Sequence, residues 1–313
     1  MPLVNLLMST DTNHAPFAAT VIRSVAMAAS PDDDVRVYIL TLGLPKDDLS
    51  KFTRLAESLS VPISVTSVDP ELVKDLPDKG RTKTAYLRIF AGELFPDVKT
   101  MIYLDTDILV RCSLSEIIAY YDETKGCSAA KDAAVITNWK GLEHEVPESF
   151  DKASYFNSGV MLMNLDFFRY HEAHKTVPRI RRELTTSILH DQSALNVFLE
   201  GNVAFLPVDF NYMLDVYDNL LLKNATGADT VKHAFEDPKI VHFSNFKKPW
   251  LRQFPQRFAA EYRQHLAQTP WGAGALPNMT LRNRIGFFAR LFQYFRQRSK
   301  FLVRHVLRDR FSD

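Results

Sequence analysis

The chain has 313 residues, 46% hydrophobic and 24% charged, with a formal net charge of +1. That composition supports a sizeable core in one large domain, or a domain with an appendage, and excludes a disordered chain. The near-neutral balance excludes a protein that binds nucleic acid through its overall charge, and two cysteines, Cys112 and Cys127, exclude a disulfide framework. With no charged-then-apolar leader at Met1, the reading is a reducing compartment, and no run approaches the ~18 apolar residues of a membrane span.

Residues 3–8 form a short apolar strand that ends in Ser9-Thr10-Asp11-Thr12-Asn13-His14. Pro16 opens a helix to about Ala29, with Val21, Val25 and Ala28 on one face. A second strand is predicted over 35–40, a second helix over 46–60 and an alternating strand over 61–68. Residues 82–94 read as a helix and 100–104 as an apolar strand. Ser113-Leu114-Ser115-Glu116 has the form of a capping box before Ile117, Ile118 and Tyr121. Strands follow over 129–135 and 159–163, and helices over 166–184 and 192–200. Residues 211–237 are loop-rich, and 270–277 look like a linker. This alternation predicts an α/β fold around a parallel-rich, doubly wound sheet whose strand order cannot be read.

Residues 282–313 change character. They hold nine Arg or Lys and two Asp, whereas the rest of the chain holds 29 basic and 35 acidic side chains. Phe288, Leu291, Phe292, Phe295, Leu302 and Val306 recur at helical spacing among arginines. A basic amphipathic helix, or two, of this kind reads either as a C-terminal helix packed on the body or, the favoured expectation, as an interfacial helix on an anionic membrane surface, with phenylalanines inserted and arginines at the phosphates. Nucleic-acid binding would leave the apolar face unused.

The most informative stretch is Met101-Ile102-Tyr103-Leu104-Asp105-Thr106-Asp107. An apolar strand ends in two carboxylates one residue apart, a pair that can share a hard divalent cation. Asp32-Asp33-Asp34 has the same spacing but precedes a strand and reads as a solvated turn. Asp11 and Asn13 can bond a ribose or the edge of a base, or cap the next helix. Arg88 is a natural clamp for phosphate or sugar oxygens, or a surface arginine. Asn157 and Ser158 stand before an apolar strand, and Asp191-Gln192 opens a helix with acceptors and donors suited to sugar hydroxyls. His242 follows a strand; an imidazole joining two carboxylates tilts a site from Mg²⁺ towards Mn²⁺. Lys248 could neutralise a departing phosphate.

In their order, Asp-Thr-Asn at 11–13, Thr-Ala-Tyr-Leu-Arg at 84–88, Tyr-Leu-Asp-Thr-Asp at 103–107, Tyr-Phe-Asn-Ser-Gly-Val at 155–160, Asp-Gln at 191–192 and His-x5-Lys-Pro-Trp from 242 resemble glycosyltransferase family 8. They look most like its bacterial members that build lipopolysaccharide or lipooligosaccharide cores. The resemblance runs from about residue 3 to Trp250. It implies a GT-A type nucleotide-diphospho-sugar transferase fold over 1–269, with a linker and membrane-associating tail over 270–313. It implies retaining transfer of galactose or glucose from UDP-hexose to an oligosaccharide or glycolipid acceptor, forming an α-linkage, by a cytoplasmic protein peripheral on the inner face of the plasma membrane. By that analogy Asp105, Asp107 and His242 hold Mn²⁺, with Mg²⁺ as the alternative. Asp11 and Asn13 hold the uridine; Arg88, Thr106, Asn157, Ser158, Asp191, Gln192, Asn245 and Lys248 complete the donor site; Asp132 lies near the acceptor. Asn245 stands where glycine is usual, His14 where tyrosine is commoner, and Ser158 where alanine is frequent.

For the chemistry, Lys248 meets the leaving β-phosphate, while Gln192 and Asp191 lie beside the sugar. Gln192 is a poor nucleophile whose amide oxygen can stabilise positive charge, and Asp191 is the neighbouring carboxylate. Front-face attack is favoured over double displacement. Two rivals remain at this level. One is a haloacid-dehalogenase-type phosphohydrolase with Asp105 as nucleophile, disfavoured by Leu109 and by the lack of a downstream acidic metal motif. The other is a UDP-sugar-binding module without catalysis.

Overall fold

The computed structural model describes residues 2–77, 83–137, 142–223, 232–244, 247–252, 254 and 256–276. The strands are β1 (Leu3–Ser9), β2 (Asp34–Thr41), β3 (Ile63–Ser67), β4 (Thr100–Leu104), β5 (Ile108–Val110), β6 (Cys127–Lys131), β7 (Phe156–Asn164), β8 (Val203–Phe205), β9 (Tyr212–Met213) and β10 (Ile240–His242). Seven of them form one sheet in the order β3-β2-β1-β4-β7-β6-β8; β5, β10 and β9 form a second, three-stranded sheet. In the large sheet β7 alone runs against both neighbours, β4 and β6, and the other pairings are parallel.

Helices cover both faces of the large sheet, which explains why its central strands are largely apolar on both sides. The period of two is plain in the packing. Leu6, Ile102, Leu104, Val160 and Leu162 face the helices Ala15–Ala28 and Lys46–Leu59. Leu7, Met101, Tyr103, Met161 and Met163 face the opposite layer, built from Leu87, Ile89, Phe168, Val177 and Leu195. A third cluster joins the small sheet to the helix Ala259–Ala267 through Met213, Val241, Phe243 and Tyr262.

Several expectations need correction. Residues 83–90 form a 3-10 helix that passes into the short α-helix Ala91–Leu94. Tyr86, Leu87, Arg88, Ile89 and Phe90 are all buried, so this segment has no solvent face, and Arg88 Nε donates to the carbonyl three residues back, at Ala85 (3.1 Å). The strand expected over 129–135 starts at Cys127 and stops at Lys131, because the Asp132 side chain accepts the Val135 N–H and starts the helix Ala133–Thr137. The helix expected over 166–184 is two, Leu165–Tyr170 and Ala173–Glu183, parted where Glu172 adopts φ +46°. The capping box does not close: Ser113 Oγ accepts the Ser115 N–H, and Glu116 pairs with Lys239 at 2.7 Å. Asn157 and Ser158 lie inside β7, not ahead of it. Within the expected linker, Trp271 packs edge-on against Phe52 and donates to Asp48 (3.2 Å). The basic tail lies outside the described residues.

Gly126 precedes β6 where the helical layer presses closest. A Cβ there would lie 2.5 Å from Leu199 Cδ2 and 2.7 Å from Phe167 Cδ1. Gly126→Ala should therefore cost about 1–3 kcal/mol by overpacking, read from the midpoint of urea unfolding.

Candidate active site

The reversed sense of β7 builds the site. Strands β1, β4 and β6 all end at one edge of the sheet, and β7 begins there. Asp105 and Asp107 follow β4, Asp132 follows β6, and Asn157, Ser158 and Gly159 open β7. The register pairs Leu104 with Val160, so the Asp105 N–H donates to the Gly159 carbonyl at 2.9 Å. β10 pairs with β5 immediately beyond and brings His242 opposite Ile108.

Asp105, Asp107 and His242 each offer a ligand atom, and these atoms lie within 4.8 Å of one another. His242 Nε2 is 3.4 Å from Asp107 Oδ1. Gly159 keeps the space open: a Cβ there would stand 2.4 Å from His242 Cε1 and 2.9 Å from Asp105 Oδ2. Two carboxylates and one imidazole suit a borderline divalent cation, and the cluster fits one.

A chain of amides sets the imidazole. The Gly159 N–H can only donate, and Asn157 Oδ1 accepts it at 3.0 Å. Asn157 Nδ2 consequently donates to Asp132 Oδ2 at 3.0 Å. The same Asn157 oxygen accepts from Asn211 Nδ2 (3.0 Å), which turns Asn211 Oδ1 towards His242 Nδ1 (2.9 Å). Neutral His242 therefore carries its proton on Nδ1 and leaves Nε2 free to bind a cation.

Around the two carboxylates stand three nitrogen bases. Lys248 donates to Asp107 Oδ2 (2.5 Å) and to the Phe243 carbonyl (2.9 Å). Burial works against the Asp107 anion, but Lys248, joined by His242 when the imidazole is protonated, prevails and holds its carboxyl far below the usual range. Asp105 goes the other way. A third of its side chain is exposed, yet enclosure by the protein, reinforced by Asp107, pushes its pKa up despite Arg88 and His242. The Tyr103 hydroxyl donates to Asp105 Oδ1 at 2.9 Å.

Arg88 is no surface residue: it is 2% exposed. Its guanidinium lies 3.9 Å over the Tyr103 ring and donates to Asp191 Oδ2 (2.6 Å) and to the Ser158 carbonyl (2.5 Å). Burial disfavours the Arg88 cation, and Tyr103, Asp191 and Asp105 more than offset it, so its pKa is raised. Gln192 spans two elements: Nε2 donates to Asp132 Oδ2 (3.1 Å) and Oε1 accepts the Ser158 N–H (3.1 Å).

The remaining candidates sit at the margin. Asp11 follows β1 at the same edge, but its carboxylate accepts the His14 N–H (2.9 Å) and lies 2.8 Å from His14 Nδ1, which is the helix-start role of such a residue. Asn13 is exposed beside it. The Thr106 carbonyl accepts from the Tyr262 hydroxyl at 3.1 Å. Asn245 lies outside the described residues. Trp250 of the Lys-Pro-Trp run stacks flat on Phe17, ring centroids 3.8 Å apart, and so anchors the segment carrying Lys248.

Sequence reasoning missed Gly159, Asn211 and Tyr103 as parts of this site. A glycine inside an apolar strand run signals close approach, and that signal was available for Gly159. Asn211 sits in a stretch without periodicity and carries no such mark. Asn211→Leu should weaken the site's hold on a divalent cation by about 10–100-fold with the fold intact, read with Mn²⁺ as the probe in paramagnetic resonance. Gly159→Ala should remove cation binding outright in the same assay, because the new methyl overlaps the imidazole.

Residues 5–253 match the model of one family, described as Glycosyl transferase family 8. General stress protein A of Bacillus subtilis (strain 168) is 26% identical over 278 residues, covering 86% of this chain and 95% of that protein. The lipopolysaccharide 1,2-glucosyltransferase of Escherichia coli (strain K12) is 22% identical over 273 residues, covering 86% and 79%. Among solved structures, the galactosyltransferase LgtC in complex with donor and acceptor sugar analogs superposes with a TM-score of 0.74 at 23% identity, over 90% of this chain and 100% of that one. At that identity the likeness carries the fold, a GT-A sheet. The match over most of the chain carries more: this protein is a glycosyltransferase and belongs to glycosyl transferase family 8.

Proposed function

We propose that the chain transfers a hexose, glucose or galactose, from a UDP-hexose to a saccharide acceptor on a lipid-linked lipopolysaccharide core, with retention and an α-linkage. The observation that carries this reading is the convergence of Asp105, Asp107 and His242 beside the buried Arg88–Asp191 pair. These three residues would hold Mn²⁺, or Mg²⁺ in its place. A divalent cation bound there neutralises the diphosphate and stabilises its charge as the leaving group. The names of the Escherichia coli glucosyltransferase and of LgtC support the sugar and acceptor classes. The family match leaves the phosphohydrolase reading of Asp105 without support.

In this reading Lys248 follows the leaving phosphate, exchanging its contact with Asp107 for the β-phosphate oxygens. Asp11 and Asn13 hold uridine, so Asp11 must turn from His14 to do so. Arg88, Thr106, Asn157, Ser158, Asn245, Asp191 and Gln192 surround the donor, with Asp132 on the acceptor side. The Asp191 carboxylate is 7% exposed and paired with Arg88, which stabilises the anion and blunts it as a nucleophile. That favours front-face attack, with the leaving phosphate accepting the acceptor's proton and the Gln192 amide dipole facing the developing positive charge.

No helix among the described residues is long and apolar enough to cross a membrane. We assign attachment at the inner face of the plasma membrane to the basic tail, as part of a division into a catalytic unit, 1–269, and a linker with tail, 270–313.

UDP release from UDP-glucose and UDP-galactose without acceptor should depend on Mn²⁺, vanish in EDTA, and vanish in Asp105→Asn with an unchanged melting curve. Full activity of that variant, or of the parent in EDTA, contradicts the reading. A chain ending at residue 276 should keep this hydrolysis yet lose sedimentation with phosphatidylglycerol-rich vesicles; unchanged sedimentation contradicts the tail's role.

A further inference from the structure

Glu145 has no solvent-exposed surface. It ends the 3-10 helix Glu143–Glu145, and its carboxylate collects donors from the segment that precedes Asp191. Oε2 accepts from Ser187 Oγ (2.5 Å), Ser193 Oγ (2.7 Å) and the Leu189 N–H (3.1 Å); Oε1 accepts the Ile188 N–H (2.8 Å). His144 Nε2 lies 3.6 Å from Oε1 on the exposed side. Burial opposes the charge, and these donors hold the carboxyl below its ordinary range. A buried anion needs its hydrogen bonds, so the carboxylate dictates the path of residues 187–193.

That path ends in strain. His190 adopts φ +54°, ψ −115°, a setting that side chains with a Cβ seldom take, and it directly precedes Asp191 and Gln192. A small apolar cluster of Val135, Val146, Phe150 and Tyr155, with Leu189 and Val197 packed on it, seats the glutamate's segment beneath the helix Asp191–Phe198. The Tyr155 hydroxyl and Ser193 Oγ lie 2.9 Å apart, tying the first turn of that helix to the residue before β7. With the turn held this way, Gln192 reaches Asp132 and Ser158 together while Asp191 reaches Arg88.

We propose that Glu145 is a positioning residue for the transferred sugar: its buried carboxylate locks the turn at 187–190, so that Asp191 and Gln192 present their side chains to the donor. The role rests on the reading of Asp191 and Gln192 given under the proposed function. The test compares full-length Glu145→Gln, Ser187→Ala and Gln192→Ala with the parent in Mn²⁺. Three readouts are taken: kcat and KM for UDP release from UDP-galactose and UDP-glucose, UDP affinity by calorimetry, and the melting temperature. Glu145→Gln should lower kcat by roughly 100-fold, the scale of a small misplacement of reacting groups. Ser187→Ala should lower it less. UDP affinity should stay at the parental value in both, since Asp105, Asp107 and His242 are held from other strands.

A parental kcat in Glu145→Gln overturns the proposal, and so does a loss of kcat matched by an equal loss of UDP affinity, which a merely structural role would give. Should Glu145→Gln fail to fold, Ser187→Ala decides, and a parental kcat there overturns the proposal. Parental turnover in Gln192→Ala overturns the underlying reading and the positioning role with it. A slow Gln192→Ala beside a normal Glu145→Gln overturns the positioning role alone.

Discussion

Two carboxylates at the end of β4 have to stay charged among protein atoms, and that demand organises the centre of the molecule. Asp107 meets it with Lys248 at 2.5 Å, and with His242 at 3.4 Å when the imidazole is protonated. Asp105 has the Tyr103 hydroxyl at 2.9 Å and Arg88 at 3.9 Å, which leaves it the less well compensated of the two. Two of the basic groups, Arg88 and Lys248, are fixed by something apolar or by backbone. Arg88 lies on the Tyr103 ring, Lys248 is tied to the Phe243 carbonyl, and Trp250 pins that segment to Phe17. Core packing thus sets the electrostatics of the site, and a change in either is felt in the other.

The single reversed strand makes the arrangement compact. Had β7 run parallel with its neighbours, its polar opening would lie at the far edge of the sheet. Running antiparallel between β4 and β6, it sets Asn157 and Gly159 beside Asp105 and Asp132. Asn157 then joins Asp132 and Gly159 into one hydrogen-bonded system that reaches His242 through Asn211, while the Gly159 carbonyl accepts the Asp105 N–H. The glycine leaves room for the ligands, and the asparagine beside it fixes which imidazole nitrogen bears the proton.

The layers of the fold were legible because they rest on periodicity. The strands at 3–9, 34–41 and 100–104 and the helices at 15–28 and 46–59 announce themselves by alternation, by Pro16 and by apolar runs. What escaped was set by tertiary contact. The segment 83–90 formed a 3-10 helix with Thr84 and residues 86–90 buried, and Asp132 cut a strand short by bonding Val135. The acidic pair stood out through its strand context, and the other motifs through their order along the chain. Arg88, read in isolation, suggested a solvated side chain; only Tyr103, Asp191 and the start of β7, all distant in sequence, bury it. Glu145 and Asn211 lay in stretches without pattern, where one polar residue resembles any other until its partners are known.

The distance along the chain between the converging groups governs when the centre can come into being during synthesis. β1 and β2 can pair early, since a helix and a short turn separate them. Asp105 has no antiparallel neighbour until β7 has emerged, and the imidazole arrives only with β10, which closes against β5 across more than a hundred residues. Contacts of such long range form late and slowly. A nascent chain can therefore hold most of its large sheet while Asp105, Asp107 and His242 are not yet together.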